Sequence, residues 1–180
     1  MRIAISGTHF SGKSTLIAAL LKQLPNFTSV DEPYILLEEQ GYVFSNPPSL
    51  EDFEEQCAFS IRSIQESGDN TLFDRCPVDC LAYALALGEV DIESWAQRME
   101  DAIQQLDLII FLPIENEDRI PIPASEDLEL REKVDENLQE LLLDDSLGIL
   151  NDVAILEVMG SVDKRMRMVK AKLAEISHHK

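Results

Sequence analysis

Short apolar runs alternate with longer amphipathic stretches along this chain of 180 residues. Runs rich in Ile, Val, Leu and Phe are typical of buried strands, whereas apolar residues spaced three and four apart are typical of helices. The two kinds of segment follow one another in the order β-α-β-α. This order predicts an α/β fold of three layers, α/β/α, in which helices cover a five-stranded parallel sheet.

The predicted strands are short and the predicted helices longer. We expect strands over residues 2–6, 27–31, 70–74, 107–113 and 152–158. We expect helices over residues 13–24, 50–66, 77–87, 92–106, 127–143 and 162–176, with a short helix or turn over 33–41. Ser49, with Asp52 three residues later, is typical of a helix cap. Pro77 in a first turn and Gly88 after a last turn are further boundary signals.

The composition indicates a globular and acidic protein. Hydrophobic residues make up 45% of the chain, and its length suits one domain, residues 1–180. A net charge of −19 argues against a nucleic acid polymer as partner. No apolar run approaches the ~20 residues of a membrane helix, and the N-terminus has no signal-peptide pattern. We therefore expect a cytoplasmic protein that does not bind a membrane.

Basic residues are concentrated at the two ends of the chain. Residues 1–30 contain Arg2, Lys13 and Lys22 and no acidic residue. The basic residues of the middle, residues 31–163, are Arg62, Arg75, Arg98, Arg119, Arg131 and Lys133. A site for a small anion should therefore combine the beginning and the end of the chain with some of these side chains.

Residues 7–14 read GTHFSGKS and match the phosphate-binding pattern G-x-x-x-x-G-K-[ST]. The pattern lies between a predicted strand and a predicted helix, where its glycines let successive N–H groups surround a phosphate. Lys13 is placed to reach the β- and γ-phosphates, and Ser14 offers a hydroxyl to Mg²⁺. His9 and Phe10 are interpreted as shape or packing residues of the loop. The residues expected to bind the nucleotide here are Gly7, Thr8, His9, Phe10, Ser11, Gly12, Lys13, Ser14 and Thr15.

Two carboxylates follow the second predicted strand, in the segment Val30-Asp31-Glu32-Pro33. Ligands of open parallel sheets bind at the carboxyl ends of strands, so either carboxylate could accept a proton from an attacking hydroxyl. Glu32 is the preferred candidate and Asp31 its rival. The alternative is that one of them only caps the next helix.

The third predicted strand ends in Phe73-Asp74-Arg75. An acidic residue at such a strand end suits the ordering of Mg²⁺, so Asp74 and Ser14 are the predicted metal residues. Arg75 has a guanidinium that suits a phosphate or a substrate hydroxyl. The alternative is a structural Asp–Arg ion pair.

The order of these motifs resembles the P-loop nucleoside and nucleotide kinases. Deoxynucleoside kinases have Glu-Pro and Glu-Arg-Ser at comparable places, and thymidylate kinases have Glu-Pro and Asp-Arg. Residues 73–87, FDRCPVDCLAYALAL, are also similar to small AAA-domain ATP-binding proteins and to ribosylnicotinamide-kinase-like domains. The resemblance covers nearly the whole chain, and it implies the strand order 2-3-1-4-5 of a P-loop NTPase, with ATP and Mg²⁺ as cofactors.

The resemblance also implies a lid-like segment at about residues 114–131 and an adenine site near the last predicted helix. Arg119 is the expected catalytic lid arginine, and Arg131 is a looser candidate. Glu115 and its acidic neighbours are expected to form a solvated face. Gly160 would let the backbone approach the adenine and Arg165 would stack on it; the alternative is a plain turn with a surface arginine.

The leading hypothesis is ATP- and Mg²⁺-dependent phosphoryl transfer to a small metabolite, such as a nucleoside, a nucleotide or a related compound. Its predicted catalytic residues are Lys13, Glu32, Arg75 and Arg119. The alternative is an ATP-binding or ATPase switch that acts on a protein partner. The expected partners are ATP and a small phosphate acceptor, and a homodimer is left open.

Overall fold

A computed structural model describes residues 1–115 and 120–178 of the protein. The strands are β1 (Arg2–Ser6), β2 (Thr28–Val30), β3 (Thr71–Asp74), β4 (Leu108–Phe111) and β5 (Ala154–Glu157). The helices are α1 (Lys13–Gln23), α2 (Pro33–Glu39), α3 (Leu50–Glu66), α4 (Pro77–Leu87), α5 (Ile92–Ile103), α6 (Leu128–Leu142) and α7 (Val162–His178).

The strands form one five-stranded parallel sheet in the order β2-β3-β1-β4-β5, which confirms the predicted topology. Ile5 pairs with Asp74 of β3, and Ser6 pairs with Phe111 of β4. The carboxyl ends of the central strands therefore meet at one edge of the sheet. The loops that follow β1 and β3 leave from this edge and bring their polar residues together.

The sheet is covered on both faces because its side chains alternate between them. Ile3 and Ile5 point into a core with α1 and α7, which includes Leu16, Leu20 and Val169. Ala4 belongs to a second core, formed with α3, α4, α5 and α6. The central strands β1, β3 and β4 are therefore buried on both faces, as the apolar runs of the sequence predict, whereas β2 and β5 are more exposed.

Several helix boundaries follow the predicted local signals. The Ser49 hydroxyl accepts the Asp52 N–H, and the Asp52 carboxylate accepts the Ser49 N–H, which confirms the cap of α3. Pro77 begins α4, and Gly88 follows its last residue. The bounds predicted for α3 and α4 are those of the structure.

Other predicted bounds were wrong by a few residues. The helix predicted over 92–106 ends at Ile103, because the next residues turn and the Leu106 N–H donates to the Ile103 carbonyl. The last helix extends to His178 instead of stopping at 176. The strands predicted at 27–31, 70–74, 107–113 and 152–158 are each shorter in the structure, by one to three residues.

The helices within residues 1–115 and 120–178 do not combine the length and apolar character that crossing a bilayer takes.

Candidate active site

The loop between β1 and α1 has a backbone shape that suits the phosphate cradle predicted from the sequence. Gly12 has φ +95° and lies at the N-terminus of α1, where a Cβ would strain the backbone. Since α1 has no side-chain cap, its first N–H groups are left for an anion. The loop lines a cavity of about 400 Å³, together with Ser14 and Thr15.

Lys13 is a buried cation within this loop. Its ammonium donates to the Thr8 carbonyl at 2.9 Å, and its side chain is almost fully covered. Burial and the nearby Arg75 guanidinium lower the pKa of Lys13 to about 8. An anionic phosphate in the cradle would offset both the burial and the repulsion from Arg75, since it would place a negative charge beside the ammonium.

Ser14 and Asp74 form a pair suited to a hard metal ion. The Ser14 hydroxyl donates to Oδ2 of Asp74 at 3.4 Å, so the phosphate loop and the end of β3 meet there. Oδ1 of Asp74 is buried and has no hydrogen-bond partner among the described residues. Burial raises the pKa of Asp74 above its ordinary value, although Lys13 and Arg75 lower it. An orphaned carboxylate oxygen beside a hydroxyl fits Mg²⁺ and its bound waters.

The described residues contain no group of three or more His, Cys, Asp or Glu that could hold a metal ion alone. Mg²⁺ at Ser14 and Asp74 would thus depend on phosphate oxygens for its other ligands, as Mg²⁺ commonly does.

Arg75 contacts four polar groups among the described residues of the site. Its Nε lies 2.9 Å from Oε1 of Glu32, and its Nη1 donates to the Gly7 carbonyl at 3.0 Å. Nη1 also lies 3.5 Å from Oδ1 of Asp79, and Nη2 donates to the Tyr83 hydroxyl at 3.4 Å. The guanidinium therefore joins the phosphate loop to Glu32 and α4.

Glu32 immediately precedes α2, which begins at Pro33. Burial acts to raise the pKa of Glu32, but Arg75 and Lys13 outweigh it and hold this pKa below the ordinary value. The carboxylate is therefore ionised at neutral pH. Asp31 is exposed beside it and lines neither cavity of the site.

A second cavity of about 200 Å³ adjoins the first. Both are lined by His9, Glu32, Tyr34 and Arg75, so these side chains lie where the two spaces meet. The walls of the second cavity are otherwise largely apolar and aromatic: they include Phe44, Pro48, Phe53, Gln56, Cys80, Tyr83 and Leu130.

Two stacked aromatic pairs line the second cavity. The ring centroids of Tyr34 and Phe44 are 4.3 Å apart, and those of Phe53 and Tyr83 are 5.4 Å apart. The Gln56 side chain supplies an amide near them and donates to the Asp52 carbonyl. Such a slot suits a planar ring with a hydrogen-bonding edge.

His9 projects from the phosphate loop between the two cavities. Its ring lies 5.7 Å from that of Tyr83, and its Nδ1 lies 3.8 Å from Oε1 of Glu126. Burial, and then Arg75, lower the pKa of His9 to about 4. The imidazole is therefore neutral at pH 7.

Asp79 is a member of the site that sequence reasoning missed. It is fully buried on α4, where Oδ1 accepts the Gly7 N–H at 3.1 Å and Oδ2 accepts the Cys76 N–H at 2.9 Å. One carboxylate thus fixes both the first glycine of the phosphate loop and the start of α4. The sequence signal was an acidic residue three positions after a helix N-cap.

Arg165 lies against the phosphate loop instead of on the surface. Its Nη1 donates to the Ser11 carbonyl and its Nη2 to Oε1 of Glu115, both at 2.8 Å. The Gly160 N–H donates to the same Glu115 oxygen at 2.9 Å. The expectation that Glu115 belongs to a solvated face was wrong, because this carboxylate is largely covered and is bound by Arg165 and the Gly160 N–H. Stacking of Arg165 on adenine stays a prediction.

The lid-like segment is described only in part. Arg119 lies outside the described residues, so its predicted role stays a prediction. Ile120 lines the phosphate cavity. Arg131 is buried on α6, and its Nε donates to the His9 carbonyl at 3.0 Å. It therefore contacts the phosphate loop.

A larger groove of about 720 Å³ lies at the other end of the strands, before β4 and β5, and is lined by Asp107, Asp152 and Lys172 among others. Lys172 is paired there with Glu175 at 3.2 Å. No residue of the phosphate loop reaches this groove, so we place the candidate chemistry at the two smaller cavities.

Residues 2–165 match the family model described as AAA domain, and the chain belongs to that family. No curated protein matches the chain. Among solved structures, deoxyadenosine kinase from M. mycoides with bound dATP is similar, at 19% identity and a TM-score of 0.65. The match covers 97% of this chain and 100% of that one. Thymidylate kinase from Candida albicans is similar at 19% identity and a TM-score of 0.66, over 99% of this chain and 93% of that one. The fold is therefore that of the P-loop nucleoside and nucleotide kinases.

Proposed function

We propose that this protein is a kinase that transfers the γ-phosphoryl group of ATP to a hydroxyl or phosphate of a small metabolite, a nucleoside, a nucleotide or a related compound. The observation that carries the proposal is the position of Glu32 and Arg75, which line both cavities. One cavity is lined by the phosphate loop, and the other is an aromatic slot. A donor in the first and an acceptor in the second would meet at this pair.

The phosphate loop holds the donor in this account. N–H groups at the start of α1 and the Lys13 ammonium neutralise the β- and γ-phosphates. Ser14 and Asp74 would hold Mg²⁺, which would supply further positive charge at these phosphates. Asp79 keeps the loop in shape through the Gly7 N–H.

Glu32 and Arg75 act on the acceptor. An acceptor oxygen bonds to the γ-phosphorus, the bond from that phosphorus to the β–γ bridging oxygen breaks, and ADP leaves. If the acceptor is a hydroxyl, its proton passes to the Glu32 carboxylate and then to water. Because phosphoryl transfer has a loose transition state, the main task of these side chains is to position the oxygen in line.

The aromatic slot supports an acceptor with a planar ring. Tyr34, Phe44, Phe53 and Tyr83 offer ring faces, and Gln56 offers one amide. The solved kinases that share the fold have nucleosides or nucleotides in their names, which agrees with this ligand shape. A switch that acts on a protein partner has no need of a slot beside its phosphate site.

The test is ADP release by the purified chain with Mg²⁺ and ATP, measured with and without pooled nucleosides and nucleotides. Mass spectrometry of the mixture identifies any new phosphate ester. We expect ADP release to rise at least about tenfold with one pool. Equal ADP release in every pool, with inorganic phosphate as the product, would instead favour the ATPase switch.

A further inference from the structure

We infer that the acceptor is an alcohol with no phosphate group at its reacting end, a nucleoside-like compound instead of a nucleotide. The inference rests on the proposed function and narrows its acceptor class. It is carried by the arrangement of charges around the aromatic slot, defined above by Tyr34, Phe44, Phe53 and Tyr83. A nucleotide acceptor would place a dianion at the junction of the two cavities.

The one guanidinium that lines the slot among the described residues is already matched by carboxylates. Arg75 has Glu32 at 2.9 Å from its Nε and Asp79 at 3.5 Å from its Nη1. Its remaining bonds go to the Gly7 carbonyl and the Tyr83 hydroxyl. The slot therefore presents two carboxylates against one guanidinium, and an incoming phosphate would meet a net negative wall.

The neighbouring cationic side chains bind other groups of the protein. Lys13 belongs to the donor side and donates to the Thr8 carbonyl. The Nε of Arg131 donates to the His9 carbonyl, and the Lys133 ammonium donates to the Ala86 carbonyl. Neither Arg131 nor Lys133 lines the slot. His9 does line it, but its lowered pKa keeps it neutral.

The chemistry of Glu32 points the same way. Arg75 and Lys13 hold the pKa of this carboxyl below its ordinary value, so the group is an anion that accepts hydrogen bonds. An alcohol has a proton to donate to that anion. The attacking oxygen of a phosphate dianion has none, and the two negative charges would repel.

Matched substrate pairs test the inference directly. Each pair is a nucleoside and its own 5′-monophosphate, covering adenine, guanine, cytosine, uracil and thymine with ribose or deoxyribose. The kcat/KM values with saturating Mg²⁺–ATP are compared by coupled ADP release, and products are identified by mass. We expect the kcat/KM of one nucleoside or more to exceed that of its monophosphate at least ~10²-fold, since bringing like charges together is strongly unfavourable.

The possible results distinguish a failure of this inference from a failure of the proposed kinase function. Preference for a monophosphate would overturn the inference and leave the kinase proposal standing. Acceptor-independent ATP hydrolysis with every pair would overturn both.

A variant that adds a positive charge to the slot tests whether charge causes the preference for a nucleoside. Leu130 lines the slot at the start of α6 and is partly buried, so Leu130→Lys adds an ammonium there, and Leu130→Met is the control of similar size. With both variants folded by circular dichroism, we expect Leu130→Lys to narrow the gap between nucleoside and monophosphate at least about tenfold relative to Leu130→Met. An unchanged gap would contradict charge as the basis of the discrimination.

Discussion

Nε of Arg75 lies 2.9 Å from Oε1 of Glu32, although the two residues follow different strands. The contact is possible because β2 and β3 are parallel neighbours whose carboxyl ends lie at one edge of the sheet. Arg75 has φ +78°, an unfavourable left-handed conformation for a non-glycine residue, and its N–H is bound to the Ile5 carbonyl. The backbone is thus strained at the residue whose guanidinium contacts Glu32.

Lys13 should be required for nucleotide binding. Lys13→Ala removes a charge-assisted contact to phosphate, which should weaken Mg²⁺–ATP binding by at least about 2 kcal/mol. Isothermal titration of folded protein measures this. Lys22→Ala is the matched control, because Lys22 is exposed on the same helix and should have no effect. Equal ATP affinity in the two variants would remove the phosphate-loop assignment.

ATP binding should weaken as the pH rises above about 8, where free Lys13 loses its proton. Bound phosphate favours the ammonium and raises the pKa of Lys13, so the affinity is full below pH 8 and falls above it. Binding near pH 8.5 should therefore take up protons. Titrations in two buffers of different ionisation enthalpy detect this uptake. Constant affinity from pH 7 to 9.5 with no proton exchange would contradict the role of Lys13.

Asp74→Asn should raise the Mg²⁺ concentration needed for half-maximal turnover, and high Mg²⁺ should restore part of the activity. The reason is that Asp74 is expected to order the metal with Ser14. Because one oxygen of the native carboxylate is buried without a hydrogen-bond partner, neutralising the group should not lower the melting temperature. Asp69→Asn, at an exposed turn before β3, is the control. A lower melting temperature with unchanged Mg²⁺ dependence would indicate a purely structural Asp74–Arg75 pair.

Asp79→Asn should destabilise the fold and loosen the phosphate loop together. The amide replaces one of two carboxylate oxygens that accept buried N–H groups, which should cost about 1–3 kcal/mol in urea unfolding. ATP affinity should fall as well, because Gly7 loses its anchor. In contrast, Asp91→Asn at the exposed N-cap of α5 keeps an equivalent cap and should be neutral. The same stability in both variants would show that Asp79 does not hold the loop.

The sequence predicts much of this fold because its signals are local. The apolar alternation of residues 2–6, the phosphate pattern of residues 7–14 and the cap at Ser49 each depend on neighbours in the chain. The clustering of acidic residues at the strand ends can also be predicted from the sequence, because parallel strands bring their carboxyl ends to one edge of the sheet.

Contacts between distant segments could not be predicted in this way. Arg131 reaches the His9 carbonyl across 122 positions, and Glu115 pairs with Arg165 across 50. Within an acidic run, Glu115 has no local feature that separates it from solvated neighbours. Asp79 lies at a capping position, which is a local signal. Its contact with the Gly7 N–H is not local, because it depends on how α4 packs beside β1.

Glu32→Gln is the variant that tests the catalytic role of the junction between the two cavities. Glutamine keeps the size of the side chain and can still accept a hydrogen bond, but it loses the charge and the basic oxygen. The phosphates are held by the loop and Lys13, so ATP binding should remain near normal. Asp31→Asn is the adjacent control, because Asp31 is exposed and lines neither cavity.

The decisive measurement is acceptor phosphorylation by these two variants, alongside ATP affinity from titration. We expect Glu32→Gln to lose at least ~10²-fold in kcat with ATP affinity close to that of the unmodified protein, and Asp31→Asn to behave like the unmodified protein. Normal acceptor turnover by both variants would mean that the junction of the two cavities holds no catalytic carboxylate, which would contradict this assignment of the site.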